Sequence, residues 1–201
     1  MALLFAKNNS LSAVTALPTS ISGGGLNLIS TQTASSSSTI DFTSGIDSTY
    51  KEYIFKFYDL HPSANAYTRF QGTTDGTNFN TTITSTTFAA YHDEGDSFAL
   101  LEYRPNADQA QGTALQPLNY ADSVGTDNDM CFVGTLHLFD PSNTTFVKHF
   151  ITRTSGYYHG DGNSDSYAAG YFNTTSAIDE IQFKMSSGNI DAGTFKLYGV
   201  V

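Results

Sequence analysis

Two stretches far apart in the chain share one pattern, and few folds can accommodate it. Lys51 to Tyr58 reads KEYIFKFY, and Ile178 to Met185 reads IDEIQFKM. In the first, Tyr53, Phe55 and Phe57 fall on one face and Glu52, Ile54 and Lys56 on the other. In the second, Ile181, Phe183 and Met185 oppose Glu180, Gln182 and Lys184. A period of two with large apolar groups on one side is what a half-buried strand needs. The two stretches are expected to face each other as layers of one β-sandwich core.

The residues between them read as more strands and turns. Thr39 to Thr43 alternates through Ile40 and Phe42. Tyr67 to Gln71 reads as a return strand, and Asp75-Gly76 as a tight turn. Phe79 to Tyr91 is Thr-rich and carries Ile83, Phe88 and Tyr91. Ser97 to Tyr103 is too short an apolar run for periodicity to decide between strand and helix. Arg104 to Asp127 lacks a pattern and reads as a long surface excursion, a kind of loop that is uncommon unless it binds something.

Asp129 to Phe139 and Thr144 to Thr154 form the clearest hairpin. Phe132, Leu136, Leu138, Phe146 and Phe150 are its apolar positions, and Gly134 marks a bulge or close approach. Tyr157 to Asp165 reads as a polar glycine-rich loop. Strands at Ser166 to Asn173, Ala177 to Met185 and Thr194 to Val201 follow, the last with Phe195 and Leu197. Nine or ten strands and at most one short helix make an all-β, antiparallel β-sandwich, jelly-roll-like in that its last strand can sit beside its first ones.

Residues 1–37 differ from the rest. Gly23 to Gly25 and Ser35 to Ser38 punctuate them, yet Leu3, Leu4, Phe5, Leu26, Leu28 and Ile29 are too apolar for a purely solvated tail. The division expected is an extended N-terminal arm over 1–37, docking on a partner, and a β-sandwich domain over 38–201.

Composition narrows the function classes. The 201 residues are 39% apolar, but 15 Phe and 12 Tyr supply a core without disulfides, metals or cofactors. Net charge is −10 with only 9 Lys and Arg, scattered singly, which argues against a nucleic-acid partner. The apolar runs are far shorter than the roughly 20 residues of a membrane span. The opening MALLFAK lacks the basic and apolar regions of a signal peptide, so synthesis in a cytoplasm is expected. Cys131, in an apolar run, reads as a small buried hydrophobe.

No catalytic constellation stands out. No GxSxG elbow or phosphate-binding glycine loop occurs, and the five histidines lack zinc spacing; His137 and His149 read as ordinary strand histidines of one hairpin. Asp161, Asn163 and Asp165 occupy positions one, three and five of a calcium-loop spacing. The sixth position is Ser166 and the twelfth Phe172, so an ordinary polar turn is the plainer reading. Asp93, Glu94 and Asp96 read as a solvated loop tip. Tyr157, Tyr158 and His159 offer flat apolar area with hydroxyl handles, suited to a sugar or protein partner; the alternative is a pair packed on its own sandwich.

Three stretches carry a resemblance: STIDFTSGIDSTYKEYIFKFYDLHPSANAYTRFQGTTDG, LHLFDPSNTTFVKHF and AGYFNTTSAIDEIQFKMSSGNIDAGTFKLYGV. They resemble small β-sandwich virion structural proteins of tailed phages of the marine and cyanobacterial type, over about residues 38–200 with an interruption at 104–127. The resemblance implies a non-enzymatic particle component made in the host cytoplasm and incorporated in the virion. It implies a homo-oligomer, trimer or dimer, that contacts other virion proteins as a capsid decoration, knob or fibre subunit. The alternative is a receptor- or glycan-binding module on a tail appendage, with a host surface glycan as its partner.

Overall fold

The structure, a computed structural model, describes residues 25–120 and 123–201. Two antiparallel sheets pack face to face. The larger runs in the order β1 (Leu26–Ser37), β13 (Ile190–Val200), β3 (Glu52–Pro62), β9 (Phe132–Phe139), β10 (Lys148–Tyr158), β11 (Gly162–Phe172), β5 (Ile83–Asp93), β6 (Ala99–Tyr103). A short β7 (Ala110–Gly112) also pairs with β5. The smaller sheet runs β2 (Ile40–Phe42), β12 (Glu180–Met185), β4 (Thr68–Thr73), β8 (Gln116–Pro117). The last strand thus lies between β1 and β3, beside the first strands of the chain. Pro105–Ala107 forms one 3-10 turn.

The two organising stretches do face each other. Tyr53, Phe55 and Phe57 on β3 are buried, as are Ile181, Phe183 and Met185 on β12. Phe183 is the hub. Its ring lies 5.3 Å from Phe55, 5.2 Å from Phe57, 5.2 Å from Phe195 and 6.1 Å from Phe42. Edge-on and tilted contacts of this kind add about 0.5–1.5 kcal/mol per pair beyond the area buried. Phe70 on β4 continues the cluster toward Phe150 and Phe172, at 5.1 and 6.2 Å. Tyr53 carries the one hydroxyl in this group. It donates to the Asp47 backbone oxygen at 2.9 Å and accepts from the Asp47 amide at 2.9 Å.

β3 and β13 bend together near one end. Their register shifts on either side of Ala192, that of β3 with β9 shifts between Phe57 and Leu60, and Asp59 has φ of 51°. Gly193 lies at the same place with φ of 125°, and a Cβ there would meet the Asp59 oxygen at 2.9 Å. The bulge is built on a residue without a side chain. Gly134 is the expected close approach: its missing Cβ would lie 2.6 Å from the Arg153 oxygen on β10.

Several expectations change. The described part of the expected arm, 26–37, is a strand of the sandwich itself, paired with β13 from Leu26↔Val200 to Ser37↔Ile190. Among the described residues the sheet therefore begins twelve residues before the expected boundary at 37/38. The Asp75-Gly76 turn does not close a hairpin, since β4 and β5 belong to different sheets. Ser97 to Tyr103 contributes a strand, β6. Phe146 and Phe88 are 69% and 45% exposed rather than in the core.

The stretch 104–127 is no free excursion. Ala107, Gln116, Leu118, Asn119 and Val124 are buried within it. Its described part adds β8 to the edge of the small sheet and carries buried amides there. The Gln116 amide donates to the carbonyls of Ala107 and Pro117 at 3.1 and 3.2 Å. Its oxygen accepts from Ser85 of the opposite sheet at 2.6 Å. Gln71 donates toward the carbonyls of Thr81, Ala114 and Thr113, at 3.0, 3.1 and 3.3 Å. Asn119 accepts from the Thr68 amide at 2.7 Å. These amides satisfy the backbone of a chain that has too few strand partners of its own.

Candidate functional site

The calcium-type spacing falls on a strand rather than a loop. β10 and β11 form one continuous hairpin, paired from Lys148↔Phe172 to Tyr158↔Gly162, and only 159–161 turn. Asn163 and Asp165 occupy alternate positions of β11, roughly 6.6–6.8 Å apart, while Asp161 belongs to the turn. Each of the two on the strand is engaged otherwise. Asn163 accepts from Ser155 at 2.9 Å, and Asp165 takes both arms of Arg153 at 2.9 and 3.2 Å. Among the described residues no group of three or more His, Cys, Asp or Glu is placed to hold a metal.

Tyr157, Tyr158 and His159 do not make a joint surface. Residues alternate along β10, so Tyr158 points inward and is buried, its ring 6.1 Å from Tyr91. Tyr157 is half-buried beside a groove of about 250 Å³ with His92, Asp93, Glu94 and Asn163. Loss of water, then the carboxylates of Glu94 and Asp161, raise its phenol pKa above the ordinary 10.0. The His159 amide donates to the Ser123 carbonyl at 3.1 Å. Cys131 is half-buried, and burial with the nearby Asp59 raises its thiol pKa, which opposes thiolate chemistry. His137 and His149 share the outer face of neighbouring strands. His137 is held by Glu52 at 2.6 Å, and His149 lies 5.8 Å from Tyr171.

Of the expected assembly residues, Leu3, Leu4 and Phe5 lie outside the described residues. Leu26 and Leu28 are 40% and 50% exposed on β1, while Ile29 turns inward at a register shift and packs against the core. Among the described residues β1 forms one of four sheet edges, the short β7 sharing the edge of β6. At the other end of the large sheet β6 has five residues, includes Glu102 and runs into Pro105. β2 has three residues with Asp41, and β8 has two with Pro117. β1 has twelve residues, LNLISTQTASSS, with neither charge nor proline.

A second surface was missed in the sequence. Cross-strand register aligns one transverse row of side chains over the outer face of the large sheet. It runs Lys196, Lys56, then Thr135, then Arg153, Tyr167, Phe88 and Tyr103. Phe88 and Tyr167 stack at 4.8 Å with 5° between their planes, and the Arg153 guanidinium sits 5.0 Å over the Tyr167 ring. Tyr103 is 59% exposed, and Leu101 beside it 69%. The sequence held one usable signal. Phe88 is an odd number of residues from both Ile83 and Tyr91, so on one strand it cannot share their face.

Comparison with protein-family models, with curated proteins and with solved structures returns no match.

Proposed function

We propose that the chain is an assembling structural subunit of a tailed-phage particle, displayed on its surface as a decoration, knob or fibre protein. The observation that carries the assembly reading is the β1 edge. Soluble sandwiches protect long edges with charge, proline or shortness. Among the described residues three edges are protected in those ways and the fourth is long and bare. Two copies pair β1 against β1 about a twofold axis, so that the large sheets run on across the interface. The uncharged strand is also where two chains of net charge −10 meet with least repulsion. In this reading Leu3, Leu4 and Phe5, which precede β1, contact the neighbouring subunit or the particle. The phage assignment is supported by the resemblance of residues 38–200 to small virion sandwiches.

Sedimentation equilibrium tests the pairing. The full chain is expected to dimerise, and Leu28→Lys with Thr31→Lys to return it to monomer, because both side chains stand on the exposed strand. A monomer at every concentration would overturn the edge reading. Cryo-electron microscopy of intact particles tests the virion role: density for this sandwich on head or tail is expected, and its absence from purified particles would end the assignment. A second reading, a receptor- or glycan-binding module, is favoured by the basic and aromatic row on the outer face.

A further inference from the structure

We propose that the outer face of the large sheet binds an acidic polysaccharide, laid along the transverse row from Lys196 to Tyr103. This site does not depend on the β1 pairing. It deepens the second reading, naming where and what class of glycan.

The row crosses seven strands, six spacings, or roughly 29 Å at about 4.8 Å per strand. It has a basic half and an aromatic half. In the basic half Lys196 and Lys56 stand directly opposite each other on β13 and β3. Like charges so placed repel, and among the described residues neither lysine takes part in an ion pair. Each is held only over a ring, Lys56 at 5.5 Å from Tyr198 and Lys196 at 5.6 Å from Tyr58. In a chain of net charge −10, two opposed lysines form a local exception that an anion would relieve, with Arg153, paired to Asp165, further along the same line.

The aromatic half supplies the exposed parts of Phe88 and Tyr103 as apolar contact for sugar rings. Phe88 and Tyr167 stack with their planes 5° from parallel, so each covers a face of the other, and Tyr103, 59% exposed, extends the row to the sheet edge. Two carboxylates border it. Asp165 holds Arg153 and accepts from the Tyr167 hydroxyl at 3.0 Å, and Asp108 accepts from the Tyr103 hydroxyl. These oxygens can accept from sugar hydroxyls.

Charge density separates an acidic glycan from the other anionic, ring-bearing polymer, a nucleic acid. A single strand carries a phosphate about every 3.4 Å, so about eight would lie over a row that offers two opposed lysines and an arginine already held by Asp165, with two carboxylates repelling them. An acidic polysaccharide carries at most one charge per ring and many hydroxyls, which matches sparse cations among acceptors.

Affinity electrophoresis of the full chain through gels containing polygalacturonate, hyaluronan or alginate tests this, with dextran and oligodeoxythymidine as the contrasting polymers. Retardation by at least one acidic polysaccharide is expected, weakening as salt rises. Lys56→Gln with Lys196→Gln should weaken it about tenfold or more, as loss of charge-assisted contacts implies, and the two Lys→Arg changes should restore it. Phe88→Ala should weaken it while leaving the melting temperature within a few degrees of the parent, which separates lost contact from lost fold. No retardation by any of the three acidic chains would overturn the proposal. So would equal retardation by dextran, tighter binding of oligodeoxythymidine, or indifference to loss of both lysines.

Discussion

The two halves of the interior are built from different materials. Around Phe183 the sheets meet through rings, with Phe42, Phe55, Phe57 and Phe195 all within 6.1 Å of one centroid. Around Gln116 they meet through amides, and the contact between sheets is a hydrogen bond from Ser85. The first half is held by area, which is large and tolerant of direction. The second is held by direction: each amide contributes little net, but each is costly to leave unpaired. Phe70 joins the two. It pairs with Gln116 across β4 and β8 and reaches Phe183 at 6.5 Å.

The contrast can be broken at its strongest point first. Phe183→Ala removes the hub and should cost about 3–5 kcal/mol, read from urea unfolding. A loss under half of that would mean that the surrounding rings collapse into the space and that no hub exists. Next, Gln116→Leu keeps the volume and removes the bonds, taking the acceptor from the Ser85 hydroxyl and the donor from the Ala107 carbonyl. It should cost about 1–3 kcal/mol; a neutral result would make the amide half an ordinary apolar filling.

A smaller effect probes the single hydroxyl within the ring half. Burial raises the Tyr53 phenol pKa above its ordinary 10.0, with the Asp47 backbone bond opposing and the Asp47 side chain assisting. The folded state therefore keeps its proton where the unfolded state loses it. The stability it contributes is complete below pH 10 and is lost as pH rises through the folded value. Tyr53→Phe should cost about 1 kcal/mol near neutrality and flatten the alkaline slope of stability above pH 10. Smallest of all is the coupling between halves. A double-mutant cycle of Phe183→Ala with Gln116→Leu should show about 0.5 kcal/mol or more through Phe70, and strict additivity would mean that the halves are independent.

The same contrast explains what could be read in advance. Alternation exposes a ring half directly: Phe55, Phe57 and Phe183 sit at period two among polar neighbours, and the sandwich follows. Gln71, Gln116 and Asn119 look like surface residues, so 104–127 looked like a surface loop. Nothing in a single polar residue tells whether its partner is water or a carbonyl forty residues away. The stretch at Tyr157 to Asp165 failed differently. Its glycines and polar residues favour a turn, but eleven cross-strand pairs between β10 and β11 outweigh local preference and leave only three residues to turn. The outer row was least legible, because it is assembled from seven strands whose register no local pattern reveals. The bare β1 edge was half visible: its lack of charge could be read, its place at the end of a sheet could not.

That placement also has a mechanical side. β1 and β13 are antiparallel neighbours, with Leu26 opposite Val200 and the Val201 amide bonded to the Gly25 carbonyl at 3.2 Å. Pulled at residues 25 and 201, the pair opens from one corner, and its hydrogen bonds bear load one after another rather than together. A subunit tethered through the segment before β1 would therefore peel like a zipper. A second copy paired along the free side of β1 would put another ladder of bonds in the path of that tear, so the contact that builds the assembly would also be the one that keeps it from being pulled apart.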